Sequence, residues 1–313
     1  MSLISAEQQQ ALRKELYQAT LVSKRMVHDE LAIFRVQPDA PLPPHKAGQY
    51  TTLGLGVWER SEPNRYGREE IKPGEETRLI RRQYSISHPV LNESGELFKE
   101  PPEYLEFFIV LVSGQEQAEK ITPTLTPRLF ALQPGDRLFL GEKIIGHYTL
   151  DGVHPEDTIL LFSTGTGEAP NNYLLWDLLR QQHRGPILAA TCVRHARDLG
   201  YLTLHQKLMQ RYSHYHYMPL MTREPGQPKR YLQDLLTSGD LEKQLQQSLD
   251  PKRTHAYLCG NPQMIGVPAI DRGTRVKTYP HPVGMVQLLE ERGLTADAKA
   301  LKVRGNIHFE EYW

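Results

Sequence analysis

The sequence predicts a two-domain protein of the β + α/β class, in which an antiparallel β-barrel precedes a doubly wound parallel sheet. The 313 residues exceed what one hydrophobic core usually supports. Short strand-like segments separated by turns occupy residues 20–150, with almost no helical pattern. From Thr158 onward, apolar strand segments alternate with helical ones, which is typical of a parallel sheet. The predicted domains are residues 1–152 and 153–313.

The strand segments of the first domain are separated by turn residues. They are Ala19–Lys24, Leu31–Val36, Tyr50–Leu55 and Leu105–Val112, with turns at Pro38–Pro44 and Gln133–Asp136. A short amphipathic helix is predicted before them, over residues 5–19, with Leu12, Leu16 and Ala19 on one side. Residues 57–80 are charged and poor in apolar side chains, so we expect a solvated surface insertion there.

The second domain alternates between two periodicities. Its predicted strands are Ile159–Phe162, Pro186–Val193, Tyr215–Thr222 and Ala256–Leu258. Its predicted helices span residues 171–182, 201–211, 231–248 and 283–292. Residues 267–283 interrupt the helix expected after Met264, either as an insertion without function or as part of a partner surface.

Composition and charge exclude several classes of protein. Lys plus Arg and Asp plus Glu both number 37, so the formal net charge is zero. This balance argues against a protein that binds nucleic acid or membranes with its whole surface, and it leaves open a local basic patch. No apolar run approaches the roughly 20 residues of a membrane-spanning helix. The first residues are polar and of mixed charge, unlike a signal or transit peptide. These features predict a cytoplasmic protein.

The chain has two cysteines, Cys192 and Cys259. They cannot form a Cys-x-x-Cys redox pair, and they are too few for an iron–sulfur cluster with four thiolate ligands. Any redox chemistry of this protein is therefore not carried by its own sulfur. The thirteen histidines include no His-Glu-x-x-His pattern, and we predict no metal site.

The stretch Asp157–Leu175 combines a strand, a glycine turn and a helix. Ile159–Phe162 is an unbroken apolar run, as expected for a strand buried on both faces of a parallel sheet. Gly165, Thr166 and Gly167 follow it, and helical spacing begins shortly afterwards. Free backbone N–H groups and the helix dipole at such a turn bind phosphate. Tight strand–helix connections that bind nothing share this pattern, so the turn alone leaves both interpretations open.

A second candidate site is Arg82-Gln83-Tyr84-Ser85-Ile86 in the first domain. Arg82 supplies a forked cation that suits a pyrophosphate. Tyr84, on the same face of a strand, can lay its ring on a flat heterocycle whose edge the Ser85 hydroxyl can reach. A surface arginine beside a half-buried tyrosine is the alternative interpretation.

A third candidate site is Cys259-Gly260-Asn261-Pro262, which follows the predicted strand Ala256–Leu258. A small polarizable side chain at the carboxyl end of a sheet strand faces the crevice where open α/β sheets bind ligands. An inert buried cysteine is the alternative interpretation of Cys259.

The order of these three motifs resembles the ferredoxin/flavodoxin–NADP⁺ reductase family, bacterial type. Further matching segments are Gly48-Gln49-Tyr50, Leu105-Glu106-Phe107-Phe108, Leu125-Thr126-Pro127-Arg128-Leu129 and the ending Gly305–Trp313. The resemblance covers roughly residues 20–313. It implies an FAD-binding β-barrel domain with an N-terminal helical extension, followed by an NADP-binding α/β domain whose C-terminal tail returns to the flavin.

The resemblance also implies roles for the flavin-site residues. Arg82 and Thr126, the latter in a phosphate-contacting loop, are expected to hold the FAD pyrophosphate. Tyr84 is expected to stack on the isoalloxazine ring, Ser85 to act near its N5 atom as a catalytic residue, and Trp313 to cover part of the FAD. The remaining expected FAD contacts are Gln83 and Ile86.

For the nicotinamide nucleotide, the resemblance implies that Gly165, Thr166 and Gly167 cradle the pyrophosphate. Cys259 is expected to sit against the nicotinamide during hydride transfer, as the second catalytic residue. The further expected contacts of the nucleotide are Gly260 and Asn261.

Three arginines predict NADPH as the nucleotide rather than NADH. Arg194 follows the second predicted sheet strand, Arg223 follows the third, and Arg230 opens the next helix. Strand-end positions on one rim of a sheet can converge on a 2′-phosphate, which arginine binds bidentately. Three unrelated surface arginines are the alternative.

Three polar residues depart from the family pattern. Glu168, and Asn171 with Asn172, stand where relatives often have an aliphatic and an aromatic residue. A carboxylate at Glu168 beside a pyrophosphate is unfavourable unless it points away.

The predicted function is FAD-mediated electron transfer between NADPH and a one-electron carrier protein. Because the chain lacks cluster cysteines, the partner is expected to be a separate acidic ferredoxin or flavodoxin. Alternatives are an NADPH-dependent flavin or quinone reductase (a diaphorase) and a non-catalytic nucleotide sensor. The candidate docking cations are Lys46, Arg78, Arg81, Arg272, Arg275 and Lys277.

Overall fold

A computed structural model of the chain describes residues 4–62, 71–111, 124–271, 273–298 and 301–312. The chain divides into two units, one formed by Met1–His88 with Glu100–His147 and the other by Pro89–Lys99 with Tyr148–Trp313. The division at His147 falls a few residues before the predicted boundary.

Residues 89–99 form part of the second unit, although the predicted boundary places them in the first domain. Two hydrogen bonds attach this segment to helices of the second unit. The indole N–H of Trp176 donates to the Phe98 carbonyl oxygen at 2.9 Å, and the Arg211 guanidinium donates to the Gly95 carbonyl oxygen at 3.1 Å. Contacts between residues this far apart in sequence leave no local pattern to predict from.

The first unit contains an antiparallel sheet of six strands in the order β4-β3-β6-β1-β2-β5. They are β1 (Ala19–His28), β2 (Leu31–Pro38), β3 (Tyr50–Gly56), β4 (Leu79–Ser85), β5 (Leu105–Val110) and β6 (Arg137–Leu140). Just beyond β4, the Ser87 N–H donates to the Glu106 carbonyl oxygen of β5 at 2.7 Å. This bridge joins the two edges of the sheet, so the predicted antiparallel barrel is confirmed.

In the described part of the first unit, two helices accompany this barrel, α1 (Ala6–Leu16) and α2 (Thr126–Ala131). The Ser5 hydroxyl caps α1 by accepting from the Gln8 N–H at 3.1 Å. The predicted extension of α1 to residue 19 is wrong, because Ala19 already pairs with Pro38 in the sheet. The expected loop at Thr126 is instead the start of α2, whose residues from Pro127 onward are all buried.

The prediction that residues 57–80 are a solvated insertion is wrong at both ends. The side chains of Val57, Trp58 and Ile80 are buried in the structure. The Tyr17 hydroxyl accepts from the Gly56 N–H at 2.8 Å and donates to the Glu59 carboxylate at 3.0 Å, which fixes the start of the segment. Residues 63–70 lie outside the described residues.

The second unit contains a parallel sheet in the order β13-β10-β7-β8-β9. Its strands are β7 (Thr158–Thr164), β8 (Ile187–Val193), β9 (Tyr215–Met221), β10 (Thr254–Gly260) and β13 (Ile307–Glu311). The chain runs outward from β7 through β8 to β9 and then returns to β10 on the other side of β7. The predicted doubly wound sheet is therefore confirmed, and its switch point lies between β7 and β10.

Helices and a small hairpin complete the second unit. The helices are α3 (Glu168–Arg180), α4 (Leu202–Arg211), α5 (Leu232–Thr237), α6 (Asp240–Leu245), α7 (Pro262–Ile265) and α8 (Met285–Glu290). The single helix predicted over 231–248 is two helices, because Gly239 adopts a left-handed conformation with φ of 74° between them. The interruption at 267–283 contains an antiparallel hairpin of β11 (Ala269–Ile270) and β12 (Lys277–Thr278).

The core of the second unit explains the apolar run of β7. Every residue from Thr158 to Ser163 is buried, because β7 lies at the centre of the sheet between β8 and β10. Leu160 and Phe162 pack with Leu188 of β8 and Leu258 of β10 in one apolar cluster. Within the described residues, we find no helix that is both long enough and apolar enough to cross a membrane.

Candidate nucleotide-binding site

The glycine turn lies at the carboxyl end of β7, at the switch point of the sheet. Gly165–Gly167 form a 3-10 turn that leads directly into α3. Gly165 has φ of 53°, a conformation that favours glycine, and a side chain built there would meet open space. The turn therefore presents its backbone to an open side, as a phosphate cradle requires.

The opposite side of the turn is pressed against the end of β10. A β-carbon on Gly167 would overlap the Cys259 carbonyl group, whose carbon would lie only 2.6 Å away. Gly260 has φ of 126°, and a β-carbon there would come within 2.8 Å of the Thr164 carbonyl oxygen. The Thr164 hydroxyl accepts from the Asn261 N–H at 2.7 Å. The glycine turn and the segment that begins at Cys259 are distant in sequence, but their backbones are in direct contact.

Asn261 and Pro262 have a local structural role. The Asn261 side chain caps α7 by accepting from the Gln263 N–H at 2.8 Å, and Pro262 is the first residue of that helix. A contact between Asn261 and a nucleotide stays a prediction.

Cys259 is fully buried at the end of β10, where it pairs with Ser163 of β7 and with Glu310 of β13. Burial, together with the nearby Glu310 carboxylate, raises the pKa of the Cys259 thiol well above its ordinary value. Cys259 is therefore a neutral thiol and not a thiolate nucleophile. Its predicted position against the nicotinamide stays a prediction.

The end of the chain runs beside this site. Strand β13 lies parallel to β10, and the Tyr312 N–H donates to the Gly260 carbonyl oxygen at 2.8 Å. Strand β13 was not predicted from the sequence. The next residue, Trp313, lies outside the described residues, so its expected position over the FAD stays a prediction.

The three predicted arginines meet at the carboxyl ends of β8 and β9. The Arg223 N–H donates to the Arg194 carbonyl oxygen at 2.8 Å, and the Arg230 N–H donates to the Met221 carbonyl oxygen at 3.3 Å. The side chains of Arg194 and Arg223 are exposed. The Arg230 guanidinium donates to the Asp240 carboxylate at 2.6 Å and lowers the pKa of that carboxyl group. The structure therefore brings the three together but pairs Arg230 with a carboxylate.

A carboxylate that was not predicted from the sequence ties the two arginine loops together. The Glu224 carboxylate accepts from the Ala196 N–H at 2.7 Å and lies 3.8 Å from the imidazole of His195. The position of Glu224 directly after Arg223 was the only available signal for this role.

Glu168 points into the interior of the second unit and is buried. Its Oε1 atom accepts from the Thr191 hydroxyl at 3.0 Å, from the Tyr217 hydroxyl at 3.1 Å and from the His205 imidazole at 2.8 Å. The sequence required this carboxylate to point away from a bound pyrophosphate. Its hydrogen bonds with these three donors hold it in the interior, so the requirement is met.

The candidate flavin residues lie on β4 of the first unit. Arg82 and Tyr84 occupy alternate positions of this strand, opposite Leu53 and Thr51 of β3. The Tyr84 ring packs edge-on against Phe107 with centroids 6.5 Å apart, and burial raises the pKa of the Tyr84 hydroxyl.

The other candidates of the first unit differ in exposure. Gln83 is exposed on β4, whereas Ser85 and Ile86 are buried. The Ile86 N–H donates to the Gln49 carbonyl oxygen at 3.0 Å, and Thr126 is the first residue of α2. The described part of the chain shows no group of three or more His, Cys, Asp or Glu side chains arranged to hold a metal ion.

Several known proteins are similar to this chain in sequence. A family profile described as the oxidoreductase NAD-binding domain matches residues 161–268. The flavodoxin/ferredoxin–NADP reductase of Escherichia coli K12 is 31% identical over 240 residues, which cover 75% of this chain and 81% of that protein. The ferredoxin–NADP reductase of Pseudomonas aeruginosa is 27% identical over 259 residues, with coverages of 80% and 86%.

A solved structure shares the fold over nearly the full length. It is a ferredoxin NADP⁺ reductase from Neisseria gonorrhoeae with bound FAD and NADP, with a TM-score of 0.65 and 19% identity. The alignment covers 94% of this chain and 97% of that one. The two-unit architecture and the sequence similarity agree, and the chain belongs to the family of the bacterial flavodoxin/ferredoxin–NADP reductases.

Proposed function

We propose that this protein is an FAD-dependent NADP(H) oxidoreductase that exchanges electrons with a ferredoxin or flavodoxin. The observation that carries the proposal is the junction of the Gly165–Gly167 turn with Cys259–Asn261 at the switch point of the sheet. Relatives that are 31% identical to this chain over 240 aligned residues are named for that activity. A cytoplasmic location is part of the proposal.

NADP(H) would bind at the carboxyl ends of the second unit's strands. The backbone of Gly165, Thr166 and Gly167 and the N-terminus of α3 supply donors and a favourable dipole for the pyrophosphate. Arg194 and Arg223 supply exposed cations for the 2′-phosphate, beside the main chain of Arg230. Gly260 and Asn261 form the neighbouring wall of the site.

FAD would bind on the first unit. The Arg82 guanidinium suits its pyrophosphate, with Thr126 as a hydroxyl donor, and the partly exposed Tyr84 ring offers a flat apolar face to the isoalloxazine. Bound flavin supplies the chemistry of accepting two electrons together and releasing them one at a time. The protein holds and orients the cofactor, with Ser85 proposed as a catalytic residue beside the flavin and Cys259 as one beside the nicotinamide.

We expect the purified protein to be yellow and to carry tightly but non-covalently bound FAD. Acid precipitation should release the flavin into the supernatant, and NADPH should bleach the intact protein under anaerobic conditions. The absorbance spectrum and chromatography of the released flavin provide the measurement. Finding FMN, or no flavin at all, would contradict the proposal.

The proposed carrier is an acidic protein that docks on exposed cations. Lys46 and Arg81 of the first unit and Arg275 of the second are exposed. Arg78 lies 3.4 Å from Glu75, and Lys277 is paired with Glu290, so these two cations are partly neutralised. Arg272 lies outside the described residues.

We expect the reduction of such a carrier to slow steeply as salt rises, because charges attract over a Debye length of only about 8 Å at physiological salt. Reduction of a small neutral quinone by the same enzyme should stay nearly constant. The two rates, measured across a salt series, provide the test. Equal salt dependence of both would instead favour the flavin or quinone reductase alternative.

A further inference from the structure

A network of buried polar side chains lies beneath the glycine turn. Glu168 Oε1 accepts from Thr191 of β8, Tyr217 of β9 and His205 of α4. The second ring nitrogen of His205, Nδ1, lies 2.7 Å from the Tyr215 hydroxyl. All five side chains are buried. We call these residues, Glu168, Thr191, His205, Tyr215 and Tyr217, the Glu168 network.

The network has a defined geometry. The imidazole of His205 stacks on the Tyr217 ring with centroids 3.9 Å apart and an interplanar angle of 15°. With the Tyr215 hydroxyl donating to Nδ1, the Nε2 atom carries the hydrogen that His205 donates to Glu168. Three donors from three different elements therefore converge on one carboxylate oxygen.

Stability alone does not account for a carboxylate at this position. The other oxygen of Glu168, Oε2, is buried and has no hydrogen-bond partner among the described residues, and the same holds for Nδ2 of Asn172. Both residues line the same small gap, together with Ser163, Asn171 and Thr191. An unsatisfied buried polar atom costs free energy that an aliphatic side chain would avoid. Against this cost, a buried network of hydrogen bonds holds its side chains in a single fixed geometry.

Glu168 connects the buried network to the proposed pyrophosphate cradle. It directly follows Gly167 and is the first residue of α3, so its main chain continues the turn. Gly167 is held on one side by the Cys259 backbone. The Glu168 side chain holds the same point from the other side, through β8, β9 and α4.

We propose that Glu168 is a positioning residue for NADP(H), which fixes the backbone N–H groups of Gly165–Gly167 through its contacts with His205, Thr191 and Tyr217. This inference rests on the proposed function, because it takes the turn to be the pyrophosphate cradle. Glu168 does not touch the nucleotide; it faces away from it and acts through the turn. Loosening the network should therefore weaken NADPH binding and leave the maximal rate unchanged.

The test compares variants by the KM for NADPH and kcat with ferricyanide as acceptor, by the Kd for NADP⁺, and by melting temperature. Glu168→Leu removes the acceptor of three buried donors and should raise KM and Kd about tenfold, the scale of losing one hydrogen bond to a charged phosphate. Its kcat at saturating NADPH should change by less than about twofold. Glu168→Gln keeps an acceptor oxygen and should restore most of the affinity.

A second variant tests the network from its far end. His205→Gln leaves the turn untouched and should raise KM in the same direction by a smaller factor. The double variant should be no worse than Glu168→Leu alone, because both changes act through one contact. If Glu168→Leu does not fold, His205→Gln and Glu168→Gln carry the test by themselves.

His308→Gln is the matched control. His308 is as buried as His205 and binds a carboxylate, Asp297, at 2.8 Å in the same unit, but it lies on β13, away from the Glu168 network. It should lower the melting temperature without changing the KM for NADPH.

Equal losses of stability in all variants, with KM and Kd unchanged in every one, would show that the Glu168 network is only structural. If the wild-type protein binds NADP⁺, this result would overturn only the inference that Glu168 positions the turn, and the proposed function would stand. A wild type that neither binds NADP⁺ nor is reduced by NADPH would overturn the proposed function, and this inference with it.

Discussion

Replacing Gly260 by alanine is expected to lower the free energy of unfolding by about 3–5 kcal/mol, the combined scale of backbone strain and overpacking. Gly260 has φ of 126°, which an L-residue rarely adopts, and its β-carbon would overlap the Thr164 backbone. The overlap would lie between the end of β10 and the end of β7, so neither strand end can shift to relieve it without disturbing the sheet. Urea denaturation of the full-length protein gives the measurement.

Substitutions of two other glycines distinguish the two causes of this loss, which are backbone strain and overpacking. Gly239 has φ of 74°, but no atom of the described residues lies within 4 Å of where its β-carbon would be, so Gly239→Ala should cost only about 1–2 kcal/mol for the left-handed backbone. Gly167 has φ of −59° but would overlap Cys259, so Gly167→Ala should cost about 1–3 kcal/mol for overpacking. If Gly260→Ala costs no more than Gly239→Ala, the two strand ends are not packed as described.

The second large effect is expected on nucleotide choice. Arg223→Ala should weaken the use of NADPH by about 1.5–3 kcal/mol, the scale of a hydrogen bond to a charged group. This corresponds to a loss of about ten- to a hundredfold in kcat/KM. NADH lacks the 2′-phosphate, so kcat/KM for NADH should barely change. Steady-state kinetics with both nucleotides provide the measurement.

Arg184→Ala is a suitable control for this prediction. Arg184 is an exposed arginine of the same unit, but it lies before β8, at the amino end of the sheet, where it pairs with Glu156. Its loss should affect neither nucleotide. Equal losses of NADPH and NADH activity in Arg223→Ala would show that Arg223 has a role other than binding the 2′-phosphate.

The pairing of Arg230 shows why such assignments need the structure. Sequence order places Arg230 with Arg194 and Arg223, and their main chains do meet. The guanidinium of Arg230, however, is bonded to Asp240, at the start of a helix that the sequence did not separate from its neighbour. We therefore expect Arg230 to contribute less to NADPH binding than Arg223 does.

The sequence by itself determined the fold class and the position of the glycine turn. A short unbroken apolar run that is followed by glycines and then by helical spacing is typical of a strand buried on both faces of a parallel sheet. The barrel was likewise predictable from short strands and their turn residues, because those signals are local.

Only the tertiary structure decided what surrounds the turn. The contact of Gly167 with Cys259 and the burial of Glu168 among Thr191, His205 and Tyr217 join residues that are distant along the chain. A local pattern records which face of an element is apolar, but not which distant donor will meet a buried carboxylate. From the sequence, Glu168 was an unexplained departure from a family pattern; in the folded chain, it is held by three donors beneath the turn.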